Sequence, residues 1–290
     1  MVTVRAQVGN LCYRNLCYRN LCHANKTGMT NASDNSLREE MSGPSLGAIL
    51  RRDGWPMLIC AAATLVMELG AYGLAKGCGA GAREALLAAL AGATMWVALA
   101  SGPMAAGGRG NVSAALRGAI PADASLVALL ILWPLARADD SQTYLTLAGV
   151  AKAYCVLAGM AVFSIAAVCC PVSATARRWA GLGAAIALAA ALASPFWTSG
   201  IIHAVDYRRA TSVVAWGIHA NPFYSVTAAA TGRLRFFWHE WGLMYDRIGA
   251  FRDYAPPPVQ WYSSAILYGA IAGLLGLVAA LRRIRFGTGR

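Results

Sequence analysis

The chain of 290 residues is 58% hydrophobic and 13% charged, and its 25 Lys and Arg against 13 Asp and Glu give a net charge of +12. A water-soluble domain carries about a quarter charged residues and somewhat under half apolar ones, so the apolar excess here must face lipid. This composition excludes a disordered chain, a fibre, a disulfide-stapled secreted module and a typical cytosolic enzyme. The basic residues are spread between apolar runs, which is typical of membrane topology and indicates no nucleic-acid partner.

The first 40 residues differ from the rest of the chain because they are polar and lack a helical or strand pattern. Residues 10–22 read NLCYRNLCYRNLC, and a period of five fits neither a helix face nor a strand face. We expect 1–40 to be a disordered tail, or upstream sequence translated from a mis-assigned start, and 41–290 to form the membrane domain. A metal-binding cysteine tract is the alternative, although the chain contains no CxxC pair.

The apolar runs that follow are long and do not alternate with period two, so they predict helices. A bilayer core needs about 20 apolar residues in a helix, and backbone groups within lipid must be bonded internally. We therefore predict an all-α, polytopic membrane protein with six transmembrane helices. The predicted spans are 55–75, 84–100, 124–135, 144–170, 179–202 and 261–281. Pro195 predicts a kink in the fifth, and Gly269, Gly273 and Gly276 form a small-residue stripe in the sixth.

Lys and Arg are distributed unequally between the two sets of short connections. One set holds Arg51, Arg52, Arg109, Arg117, Arg177, Arg178, Arg282, Arg283, Arg285 and Arg290. The other set holds Lys76, Arg83 and Arg137. Because cytoplasmic loops carry the excess of positive charge, both termini are expected in the cytoplasm. The scarcity of Lys beside Arg is typical of a GC-rich genome, so we expect the bacterial inner membrane.

Between the second and third spans, residues 102–123 predict a short amphipathic helix on the cytoplasmic side. Val112, Leu116 and Ile120 share one helical face, Arg117 lies on another, and Pro121 ends the pattern. Such a helix either rests on the membrane surface or docks into a partner.

Between the fifth and sixth spans, the sequence predicts a short helical hairpin on the outer side. Asn221 and Pro222 have the pattern of an N-cap followed by a first helical position, and Gly232 is suited to end the helix. The aromatic residues of 233–245 are typical of the headgroup level. We expect one or two short helices that dip partly into the outer leaflet.

Two charged residues fall inside predicted spans, Glu68 in the first and Lys152 in the fourth. Charged side chains in lipid are costly, so each is a functional candidate, although the favoured explanation is structural, by mutual pairing or snorkelling. No GxxxxGK[ST] motif exists, so any nucleotide hydrolysis must come from another chain.

The layout of residues 44–285 resembles that of an ABC-2-type transporter permease. Asn221-Pro222-Phe223-Tyr224 is similar to the Asn-Pro-aromatic turn that these permeases often carry before their last span. GNVSAALRGAIP at 110–121 resembles their ATPase-coupling segment, and FSIAAVCCPVSATARR at 163–178 resembles the end of their fourth span.

The resemblance implies a permease subunit of an ATP-driven exporter, without cofactor or metal of its own. Its partners would be a separate ATPase chain, a second permease in a homodimer or heterodimer, and the lipid bilayer. The implied coupling residues are Arg109, Gly110, Val112, Leu116, Arg117, Ile120 and Pro121.

Two other functions remain open. His203, Asp206, His219, His239 and Glu240 lie on the same predicted outer side, so a membrane enzyme with a His/Asp/Glu site is one alternative. Ser113 stands where the coupling segment usually has Glu, which makes a non-transporting membrane scaffold the other.

Overall fold

The computed structural model describes residues 46–139, 145–204, 207–231 and 260–287. Within these ranges the chain forms helices and no strand, which confirms the predicted all-α class. The helices are α1 Leu46–Gly77, α2 Ala82–Ala106, α3 Asn111–Asp139, α4 Leu147–Cys169, α5 Ala174–Leu192, α6 Ser194–Ala204, α7 Tyr207–Ala220, α8 Pro222–Thr231 and α9 Tyr262–Gly287. Residues Arg52–Arg290 form one compact unit. The predicted N-terminal tail lies outside the described residues, as do the aromatic tract 233–245 and Gly232.

Five of the described helices are long and apolar enough to cross a membrane. These stretches are Gly54–Gly77, Ala82–Ala106, Asn111–Ala138, Leu147–Cys169 and Tyr262–Arg282, and they have 21 to 28 residues. A helix rises about 1.5 Å per residue, so each of them reaches across a hydrocarbon core of about 30 Å. The chain is therefore a multi-pass membrane protein.

The third span begins earlier than predicted, because no helix ends at Pro121. One continuous helix runs from Asn111 to Asp139 and contains both Pro121 and Pro134. The missing N–H of Pro121 removes the helical donor for the carbonyl group of Arg117, a loss that packed membrane helices tolerate. The prediction of a separate amphipathic helix before the third span is therefore wrong, because 111–121 form the first turns of that span.

The predicted fifth span is divided into α5 and α6. Helix α5 ends at Leu192, Ala193 follows it, and α6 begins at Ser194. Pro195 has no N–H to continue the ladder, and the amide of Phe196 bonds to the carbonyl of Ala193 instead, at 2.9 Å. The expected kink is thus a complete break between two helices.

Helix α2 lies at the centre of the bundle, whereas α1 and α9 lie at its edge. In α2, 61% of the apolar stretch is buried, compared with 22% in α1 and 17% in α9. The side chains of Leu90 and Val97 pack in one core cluster with Leu157 and Met160 of α4. The apolar faces that α1 and α9 leave exposed are suited to contact lipid.

Two glycines allow α2 and α5 to approach each other closely. A Cβ atom built on Gly102 would lie 2.3 Å from the carbonyl oxygen of Gly181, and one on Gly181 would lie 2.7 Å from that of Gly102. The predicted stripe of Gly269, Gly273 and Gly276 behaves differently, since no atom of the described chain lies within 4 Å of a Cβ built on any of the three.

Candidate functional site

Four helix ends meet at one end of the bundle, which we call the arginine end. It comprises the C-terminal ends of α2 and α4, the N-terminal ends of α3 and α5, and the connections between them. Ala105, Ala114 and Val168 form a small buried cluster that joins α2, α3 and α4 there. The guanidinium group of Arg177 donates to the side-chain oxygen of Asn111 at 3.3 Å and links α5 to α3. These contacts hold the two connections, and the basic residues in and beside them, near one another.

The structure places the coupling residues implied by the resemblance at this end, but not on one docking face. Arg109 and Gly110 are exposed in the connection before α3, and Val112 is 62% exposed in its first turn. Leu116, Arg117 and Ile120 are half-buried and Pro121 is buried.

Arg117 also forms a hydrogen bond across the connection between α2 and α3. Its Nη1 donates to the carbonyl oxygen of Gly107 at 3.0 Å, just beyond the end of α2. The carbonyls of a helix C-terminus carry partial negative charge, so a guanidinium group is favourable there. Arg117 thus fastens the start of α3 to the end of α2 and makes their connection compact.

Glu68 is fully buried where α1 packs against α3. Its Oε1 is in hydrogen-bond contact with the hydroxyl group of Ser125, which is also fully buried. Its Oε2 is buried and has no hydrogen-bond partner among the described residues. One turn earlier in α1, Thr64 accepts a hydrogen bond of 2.8 Å from the indole N–H of Trp96 in α2. A polar seam therefore fastens α1 to the bundle.

Lys152 does not pair with Glu68. Its side chain is exposed, and its Nζ lies 5.9 Å from the ring centroid of Trp261. Helix α4 begins at Leu147, with Thr146 as its N-cap, so Lys152 lies in the second helical turn. The suggested pair across the bundle is therefore wrong, because the ammonium group lies near a helix end where an exposed cation costs little.

Asn221 organises the junction between α7 and α8. Its Oδ1 accepts a hydrogen bond of 2.9 Å from the amide of Phe223, which confirms the predicted helix start at Pro222. Its Nδ2 donates to the carbonyl of Leu192 and to the hydroxyl of Ser194, both at 3.1 Å. The break before Pro195 leaves the Leu192 carbonyl without a helical donor, and Asn221 supplies one.

Helix α9 covers the same junction from the other side. Tyr268 donates to the carbonyl of Ala220 at 2.8 Å, and Ser264 donates to that of His219 at 2.8 Å. Tyr224 is buried beside them, and this burial raises the pKa of its phenol above the ordinary value. Since an uncharged phenol is the form that burial favours, Tyr224 packs as a neutral side chain.

A groove of about 460 Å³ runs between α7 and α9. Trp216, Ile266 and Leu267 line it, and His219 with Ser263 are its polar members. The Nδ1 atom of His219 lies 3.2 Å from the hydroxyl of Ser263, which donates to the carbonyl of Gln260 at 2.7 Å. The histidine is thus engaged with a hydroxyl group rather than with a carboxylate.

Most residues of the alternative His/Asp/Glu site fall outside the described part of the chain. Asp206, His239 and Glu240 lie outside the described residues, and of His203 only the backbone is described. In the described part of the chain, no group of three or more His, Cys, Asp or Glu residues is placed to hold a metal ion.

Sequence reasoning missed the hydroxyl groups that partner these side chains. Thr64 and Ser125 lie in apolar helices, and only tertiary packing places them beside Trp96 and Glu68. The available signal was the rarity of polar side chains within such helices, since a hydroxyl group in hydrocarbon requires a partner.

Comparisons with family models, with curated proteins and with solved structures find no match to this chain.

Proposed function

We propose that this chain is the membrane-spanning subunit of an ATP-driven exporter similar to the ABC-2 type. A separate ATPase chain would supply hydrolysis, because the sequence carries no phosphate-binding loop of its own. The proposal places the protein in a bacterial inner membrane as a homodimer or heterodimer, with both termini in the cytoplasm.

The proposal requires six crossings. Five are the long apolar helices described above. The remaining crossing, which is the fifth in chain order, is assigned to α5 and α6 together. Helix α5 alone has 19 residues, and its first turns contain Arg177 and Arg178. Helix α6 adds 11 residues after the break. On this assignment α7 and α8 form the outer hairpin, which enters the bundle at Asn221.

The observation that carries the proposal is the construction of the arginine end. Arg117 and Arg177 tie α2, α3 and α5 together there, while Arg109 and Val112 stay exposed. A force applied to this exposed connection would pass directly into α3, since residues 111–121 are part of that helix. We therefore assign ATPase docking to the turn 107–112 and the exposed side of the first turn of α3.

This coupling differs from a push on a loose amphipathic helix. A rigid helix that continues from the docking turn to the centre of the bundle moves as one body. Closure of the ATPase pair would then tilt or shift α3 against α2 and α4, which is the kind of two-state rearrangement that opens one side of a bundle.

The test is site-specific photo-crosslinking in cells. A photoreactive amino acid at position 112 is expected to capture an ATPase chain. The matched control replaces Leu135 in the same helix, which is 51% exposed but lies near the opposite end. Deleting 109–121 is a poor test, because it would remove about three turns of a membrane span.

Capture of an ATPase at position 112 and not at position 135 supports the proposal. Equal capture at both positions, or no nucleotide-hydrolysing partner at position 112, contradicts it.

A further inference from the structure

The buried contact between Glu68 and Ser125 lies in the middle of two apolar helices. Glu68 is nine residues from the end of the span Gly54–Gly77, and Ser125 is thirteen residues from the end of Asn111–Ala138. At about 1.5 Å per residue, both groups are more than about 13 Å from the nearer helix end. A carboxyl group at this depth has no water to solvate a charge.

The number of hydrogen atoms available at Ser125 indicates whether Glu68 carries a proton. A serine hydroxyl has one hydrogen to donate, yet Ser125 Oγ is in contact with two oxygen atoms. One is Glu68 Oε1, and the other is the carbonyl oxygen of Pro121, at 2.8 Å. If Glu68 were a carboxylate, one of these two oxygens would face a lone pair of Ser125 at hydrogen-bond distance.

If Glu68 is neutral, each contact from its Oε1 through Ser125 to the carbonyl of Pro121 is a hydrogen bond with one donor and one acceptor. Its acid O–H, located on Oε1, donates to Ser125 Oγ, and the hydroxyl of Ser125 then donates to the carbonyl of Pro121. The same form also suits Oε2, which is buried without a hydrogen-bond partner in the described part of the chain. Burying an uncharged carbonyl oxygen without a partner costs less free energy than burying a carboxylate oxygen that shares a negative charge.

No neighbouring group whose side chain the structure describes offers a compensating charge. Thr64, one turn away in α1, donates to the carbonyl of Cys60 and accepts from Trp96. Asp123, on the same helix as Ser125, is exposed and accepts from the hydroxyl of Tyr154 at 2.7 Å. Among the residues with described side chains, no Lys or Arg forms an ion pair with Glu68.

We propose that Glu68 and Ser125 form a proton-binding site in the middle of the bundle and that the site holds its proton in this conformation. The proposal goes beyond ATP-driven transport and does not depend on it. A charged Glu68 needs solvation, and the packed contact between α1 and α3 does not provide it. Release of the proton therefore requires α1 to move away from α3. Proton occupancy and the docking of α1 are therefore linked.

The test uses the full-length protein, purified and kept at neutral pH, with two probes of a neutral buried carboxyl. Dicyclohexylcarbodiimide adds to protonated carboxyl groups in apolar surroundings, and peptide mass spectrometry is expected to locate the adduct on Glu68. Infrared spectroscopy is expected to show the carbonyl stretch of a neutral carboxylic acid. Glu68→Gln should remove both signals, whereas the control Asp123→Asn should leave both unchanged.

Ser125→Ala provides a second variant in case Glu68→Gln does not accumulate. It keeps the acid but removes its hydrogen-bond acceptor, so the carbonyl band should persist and shift in frequency. The proposal is overturned if Glu68 is unlabelled and neither variant changes the carbonyl band. It is also overturned if sodium ions protect Glu68 from the carbodiimide and the neutral-acid band is absent, because the site would then hold a metal cation on a charged carboxylate.

Discussion

Gly102 and Gly181 show how a single missing side chain can determine where two helices meet. The atoms that a Cβ on Gly102 would meet are the backbone oxygen, carbonyl carbon and Cα of Gly181. Backbone atoms cannot rotate away as the end of a flexible side chain can. The axes of α2 and α5 are therefore held at a distance that only glycine permits.

Gly102→Ala is expected to destabilise the protein. The added methyl group must push α5 away from α2, and overpacking of this kind costs about 1–3 kcal/mol, part of which the better helix propensity of alanine offsets. The measurement is the unfolding midpoint in detergent. Gly183→Ala is the matched control in α5, because no atom lies within 4 Å of its Cβ, and it should leave the midpoint unchanged or raised. Equal midpoints for the two variants would contradict the close approach.

Asn221→Ala is expected to have a larger effect. The variant loses the cap of α8 and also leaves the Leu192 carbonyl without a donor, so the two losses together should cost about 2–4 kcal/mol. Asn111→Ala is the control, since that amide is exposed and makes one long bond to Arg177. The free energy of unfolding should fall for position 221 and change by less than about 0.5 kcal/mol for position 111. A similar change at both positions would show that the junction does not depend on Asn221.

At the scale of the helices, the sequence predicted what is local and missed what depends on packing. The start of α8 was predictable because Asn221 and Pro222 are adjacent and act on the same helical turn. The continuity of α3 was not, because the pattern of one helix does not show that its neighbours support Pro121. Likewise the Gly269 stripe looked suited to packing, whereas Gly102 and Gly181 form the close contact.

Leu274→Arg is expected to impair insertion of α9 into the membrane. Leu274 is 64% exposed near the middle of Tyr262–Arg282, so an arginine there would face lipid at a cost of about 2.5–3.5 kcal/mol. Leu281→Arg is the control, because a side chain at the end of the span reaches the headgroups. The fraction of chains integrated in a translation and insertion assay should fall for position 274 only. Equal integration of both variants would mean that this face of α9 does not contact lipid.

At the scale of the whole molecule, the amino-acid composition determined the class of the protein but not its number of crossings. The apolar excess required lipid, and five helices have the length and composition to cross it. The sequence also predicted a crossing at 179–202, but α5 begins with Arg177 and Arg178 and the chain breaks before Pro195, so neither α5 nor α6 is among these five helices. The candidate site was partly predictable in the same sense. Glu68 is conspicuous in an apolar run, but its partner Ser125 lies 57 positions away in the sequence.

Membrane extraction tests the central claim most directly, namely that this chain is a multi-pass membrane protein. Membranes from cells producing the full chain are washed with alkaline carbonate and then extracted with detergent. The protein should stay in the carbonate pellet and dissolve only in detergent, since several spans bury their apolar faces in lipid. Recovery of the folded protein in the carbonate supernatant would contradict the claim, together with the exporter and the intramembrane proton site.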